Sequence, residues 1–184
     1  MTGLSPDVAA RKLPRHLGLC YDVCHAAVEF EDPANSIQML RDAGIPVHKL
    51  QLSSAVRVAS GSAREREVLA RYNEPTYLHQ LIANGPSGLT RFSDLTEALG
   101  DGGARDGEEW RVHFHVPVFL ESLPDFDTTQ AFLAEILALH RRDPISPHLE
   151  VETYTWDVLP QGLRAGKVED AVARELGWVV EQLA

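Results

Sequence analysis

Short apolar runs alternate with helical patterns along most of this chain, and that alternation restricts it to a narrow set of folds. Residues 19–23 (LCYDV), 45–52 (IPVHKLQL), 110–119 (WRVHFHVPVF) and 148–155 (HLEVETYT) have the length and residue types of strands. Helical stretches lie between and after them, at residues 35–43 (closed by Gly44), 63–71, 93–99, 128–141 and 168–183. The 128–141 stretch is the clearest: Phe132, Leu133, Ile136, Leu137 and Leu139 share one broad face, and Thr128 stands where an N-cap belongs. The segment with Gly85, Pro86 and Gly88 reads as a long loop, and the Gly/Asp-rich residues 100–107 as a surface turn. Four strands alternating with helices predict an α/β fold with parallel pairing and right-handed crossovers. At 184 residues the chain has room for a single domain, 1–184, with a core of its own.

A formal charge of −10, with no basic run anywhere, argues against nucleic acid as the main partner. The longest apolar stretches are strand-sized, so no membrane insertion is expected. Residues 1–15 lack the apolar core of a secretory signal. The two cysteines, Cys20 and Cys24, are spaced by four, which is neither a redox C-x-x-C nor a disulfide framework. They read as small buried residues in a reducing cytoplasm.

Polar groups stand where these strands should be apolar. Asp22 ends the first strand and His25 follows it; an anionic oxygen and an imidazole three residues apart can converge on one divalent cation. In the third strand His113 and His115 share a side, opposite Val112, Phe114 and Val116. In the fourth, Glu150, Glu152 and Tyr154 share a side. Carboxylates inside a buried strand are costly unless paired or metal-bound. Each of these residues also has a plain structural role open to it, as a cross-strand ion pair or a solvent-facing edge group. Their shared placement near strand ends is what points to a site, because ligand and metal sites of α/β folds are built there.

These residues carry a resemblance. Asp22-x-x-His25 after a strand is similar to the Asp-x-x-His motif of the xylose-isomerase-like TIM-barrel superfamily, which includes sugar-phosphate isomerases and epimerases and the endonuclease IV type of nuclease. Lys49 to Ser54 resembles the ligand-bearing strand of that group, with Gln51 where a ligand histidine usually stands. His79, followed by Gly85 and Gly88, resembles its histidine-containing, Gly-rich loop, with Tyr77 in place of the usual aspartate. Glu152-Thr153 looks like its late metal-binding glutamate. Residues 20–33, 77–82, 110–119 and 149–160 together look like the metabolite-traffic protein EboE family, a branch of the same superfamily, over most of residues 15–182.

The resemblance implies a divalent cation (Zn, Mn or Mg) held by Asp22, His25, His79, His115 and Glu152. Glu152 and His25 would be the catalytic groups, and Gln51, His113, Glu150 and Tyr154 would line the pocket. The implied function is binding or transforming a small-molecule metabolite, with an active metal-dependent isomerase or epimerase as the alternative. An endonuclease IV-like role fits less well, since Gln51 and Tyr77 remove two ligands of a three-metal centre. A complete barrel needs eight strands and about 250 residues. The chain is therefore expected to be a C-terminal part, the last four βα units, with residues 1–15 the tail of a preceding helix. Such a half barrel would leave two open sheet edges and an exposed apolar face, to be covered by the missing N-terminal half or by self-association.

Overall fold

The computed structural model describes residues 3, 5–152 and 167–184. In chain order the elements are α1 (Pro6–Lys12), β1 (Leu19–Asp22), α2 (Val23–Val28), α3 (Pro33–Asp42), β2 (Val47–Leu52), β3 (Ser54–Val58), α4 (Ala63–Leu69), β4 (Leu81–Gly85), β5 (Gly88–Phe92), α5 (Leu95–Leu99), β6 (Glu109–Val116), β7 (Asp127–Thr128), α6 (Gln130–Arg142), β8 (Leu149–Val151) and α7 (Val168–Leu183). Tyr154, and the end of the expected fourth strand, lie outside the described residues.

The α/β expectation holds in coarse form. β2 sits between β1 and β8, and both pairings are parallel. Tyr21, Leu50 and Leu52 pack from this sheet onto Val23 of α2, Ile37 of α3, Leu133, Ile136 and Leu137 of α6 and Val179 of α7. Leu50 is fully buried in the middle of this layer, and burial of such a side chain stabilises the fold by about 1.5–3 kcal/mol. The opposite face of the sheet is polar rather than apolar as expected. It carries exposed Cys20, and Lys49 joined to Glu150 at 2.9 Å.

The remaining strands overturn the expectation of uniform parallel pairing. The chain leaves the parallel sheet at Ser53, one residue after β2, and β3 to β7 form an antiparallel sheet in the order β5-β4-β6-β3-β7. The run 110–119 contributes β6 to this second sheet, so three strands are parallel rather than four, and the described residues contain no closed barrel. The expected loop around Gly85 is a hairpin in which Pro86 and Ser87 link β4 to β5. Gly88, at φ 94°, takes a backbone conformation open to glycine.

One face of the antiparallel sheet builds its own core. Trp110, Val112, Phe114 and Val116 of β6 point into it, with Val56, Val58, Leu69, Leu81 and Leu95 around them. The other face lies against α2, which packs on both sheets and on α6. That position explains its small side chains: Cys24, Ala26 and Ala27 are all buried there. Arg111 of β6 ties the helix down, donating through Nη1 to the Ala27 carbonyl at 2.6 Å and stacking over the Phe30 ring at 3.9 Å. No helix among the described residues is long and apolar enough to cross a membrane.

Candidate metal centre

Asp22 is at once the last residue of β1 and the N-cap of α2. Its Oδ1 accepts the Cys24 N–H at 2.9 Å, the His25 N–H at 3.4 Å and the Ser53 hydroxyl at 2.8 Å. An N-cap carboxylate satisfies helix donors that have no partner within the helix. With Oδ1 so engaged, Oδ2 is the oxygen turned to the histidines, 3.6 Å from His25 Nε2. His25 itself, on the first turn of α2, is more than half exposed.

The other two histidines come from β6, across a β-bulge. Ala55 of β3 stands opposite His115 while the next residue, Val56, stands opposite Val112, which leaves His113 and Phe114 as extra residues on β6. Such a bulge re-aims side chains next to a site. His113 and His115 both face α2, and His113 Nε2 lies 3.1 Å from His25 Nε2 and 3.1 Å from His115 Nε2.

A proton serves both contacts only poorly. An imidazole nitrogen carries either one hydrogen or one in-plane lone pair. His113 Nε2 can therefore make one good hydrogen bond, and its second Nε2 neighbour is left badly matched. Charging the rings is unfavourable as well. Burial, reinforced by the neighbouring His25, pushes His113 down to about 4. Burial, with His113 beside it, pushes His115 down to about 3. Neutral imidazoles with crowded nitrogens suit a cation. Nitrogens bound at about 2.0–2.1 Å stand about 2.8–3.4 Å from one another in tetrahedral or octahedral coordination.

Glu152 follows β8 directly, held by its N–H to the Leu52 carbonyl at 3.2 Å. Its Oε2 is 3.4 Å from His115 Nδ1. Burial raises its carboxyl above the usual range, against a lowering hydrogen bond from Gln51. Ligand atoms of Asp22, His115 and Glu152 all lie within 4.8 Å of one another, as do those of Cys24, His113 and His115. Asp22, Cys24 and Glu152 stand at or just past the C-terminal ends of β1 and β8, and His113 and His115 reach them from β6 of the antiparallel sheet. A cleft of about 380 Å³ opens onto them, with Asp22, His25, Gln51, His113 and Glu152 on its polar side and Tyr77 and Leu78 on its lip.

Of the residues expected at the site, Asp22, His25, His113, His115, Gln51 and Glu152 are brought together. His79 is placed elsewhere. It is buried behind β6, its Nε2 3.2 Å from Glu74 and its Nδ1 3.4 Å from the His113 carbonyl, so it braces the bulge. Glu150 points to Lys49 on the open face. Sequence reasoning missed Cys24 as a member of the site. Its signal was helix capping: an aspartate at a strand end starts a helix at once, and the small residue two positions on is buried in its first turn.

No family model matches this chain, and no curated protein or solved structure matches it either.

Proposed function

We propose that this chain is a divalent-metal protein of the xylose-isomerase-like, EboE-like kind, which binds or transforms a small metabolite at the C-terminal mouth of its parallel strands. The observation that carries the reading is His113 Nε2 at 3.1 Å from two other imidazole nitrogens, with Asp22 and Glu152 beside them. Asp22 Oδ2, His115 and Glu152 hold the cation, and His25 and His113 complete its surroundings. A bound divalent cation supplies Lewis acidity toward a carbonyl or hydroxyl oxygen.

The chain's own groups set up the rest of the chemistry. Glu152 has two carboxylate oxygens, and the one not on the cation is suited to exchanging a proton with a substrate oxygen. Gln51, hydrogen-bonded to Glu152, orients that carboxyl. Tyr77 and Leu78 give the cleft an apolar lip, and its volume of about 380 Å³ fits a small metabolite such as a polyol or sugar. A net charge of −10 weighs against the nuclease branch of the superfamily.

In this reading the three parallel strands are βα units of a TIM-type barrel. Among the described residues β1 and β8 are the outer strands of this sheet, and their outer edges take further parallel strands, from a longer protein or a second copy. The protein works in the cytoplasm, where Cys20 and Cys24, both free, stay reduced.

Calorimetric titration with Zn²⁺, Mn²⁺ and Mg²⁺ tests the reading. At least one ion is expected to bind with micromolar affinity or better, and Asp22→Ala or Glu152→Ala to abolish binding with an unchanged circular dichroism spectrum. Failure of all three ions to bind wild type would sink it. Turnover of pentose and hexose phosphates by the loaded protein then separates an isomerase or epimerase from a metabolite carrier.

A further inference from the structure

Cys24 is the one group of this cluster that the reading above leaves without a role. It is completely buried, on the first turn of α2, and its backbone N–H is pinned by Asp22 Oδ1 at 2.9 Å and Ser53 Oγ at 3.0 Å. Its thiol makes no hydrogen bond among the described residues. Its Sγ lies within 4.8 Å of ligand nitrogens of both His113 and His115. Two imidazoles beside a thiol form a Cys-His₂ donor set, which belongs to zinc-class cations rather than to Mg²⁺ or Mn²⁺.

We infer that Cys24, His113 and His115 form an inner cation position selective for thiophilic, zinc-class ions, next to the carboxylate position of Asp22, His115 and Glu152. The inference rests on the metal-centre reading and deepens it by naming the ion class. His115 belongs to both groups, but an imidazole that keeps its ring proton has one in-plane lone pair, so it serves one position at a time. Its Nε2 faces His113 and its Nδ1 faces Glu152. Coordination exchanges a proton for the ion: the S–H bond breaks, the sulfur–metal bond forms, and the proton leaves to solvent.

Cobalt(II) is the probe, because thiolate ligation gives it a near-ultraviolet sulfur-to-metal charge-transfer band that oxygen and nitrogen ligands do not. The chain has only two cysteines, so Cys20→Ser leaves Cys24 as the sole thiol and removes any dependence on how well a Cys24 variant folds. Wild type and Cys20→Ser should both develop the band at one equivalent, and millimolar Mg²⁺ should not remove it. Cys24→Ser should lose the band and bind Zn²⁺ at least tenfold more weakly. Cobalt binding without the band, or a band lost in Cys20→Ser, would overturn the inference while leaving the metal centre standing. No cobalt or zinc binding at all would remove both.

Discussion

Ser53 donates its hydroxyl to Asp22 Oδ1 at 2.8 Å and accepts the Cys24 N–H at 3.0 Å, bracing the strand-to-helix junction from the link between β2 and β3. Ser53 is almost fully buried, and its hydroxyl reaches the centre through Asp22 and Cys24. Ser53→Ala should therefore keep the fold but weaken cation binding by about 10–100-fold, the usual cost of losing a group that orients a ligand. Ser53→Thr should recover most of it. Calorimetric titration of the three proteins decides the matter, and equal affinities would deny Ser53 a positioning role.

Acid should destabilise the metal-free protein early. His113 and His115 are depressed from 6.5 to about 4 and about 3, with burial the main cause in both. Between those values and 6.5 the unfolded chain binds more protons than the native one, so stability rises with pH through that window and is lost as pH falls. It is fully present above the unfolded value. Urea denaturation of metal-free protein at pH 7, 6 and 5 should give steadily lower stability. A His113→Gln, His115→Gln double variant should show a flatter dependence.

Two glycines of similar backbone conformation should respond differently to a methyl group. Gly61 has φ 59°, and a Cβ there would come within 2.3 Å of the Trp110 ring. Gly102 has φ 77° and nothing within 4 Å. Gly102→Ala should cost about 1 kcal/mol from the left-handed backbone alone. Gly61→Ala adds a clash with the most deeply buried aromatic ring of the second core, for a further penalty of about 1–3 kcal/mol. Thermal melts of the pair test this, and matching melting temperatures would count against the packing described around Trp110.

The parallel sheet should be sensitive at its centre and tolerant at its margin. Leu50 is fully buried on β2, whereas Met39 of α3 is 70% exposed. Leu50→Ala should lose about 2–5 kcal/mol, and Met39→Ala should stay within about 0.5 kcal/mol of wild type. Chemical denaturation resolves the difference easily.

Much of this arrangement was readable from residue order. The run 168–183 gives α7 (Val168–Leu183) with the expected bounds, and the alternation in 110–119 places His113 and His115 on one side of β6, as its opposite face in the apolar core requires. What could not be read was which sheet β6 joins, because alternation reports a strand's faces and says nothing of its neighbours. The β2-to-β3 break was hidden for a related reason. Ser53 and Ser54 end one apolar run, the Ala55 to Val58 run begins at once, and no glycine or proline marks the boundary. The helix α2 was missed because six residues are too few to display a period, and its start depends on the Asp22 cap rather than on pattern. His79 was misread for want of its partner Glu74, five positions earlier, which a ligand search along strand ends does not consider.

The strand β6 carries Trp110, Val112 and Phe114 on one side and Arg111, His113 and His115 on the other. A single-residue insertion or deletion before Trp110 would exchange those sides, sending imidazoles into oil and an indole toward water. Folding and chemistry are thus written in the same register. A lineage of this protein can trade one side chain for another along β6, but it cannot slide the strand without forfeiting core and centre together.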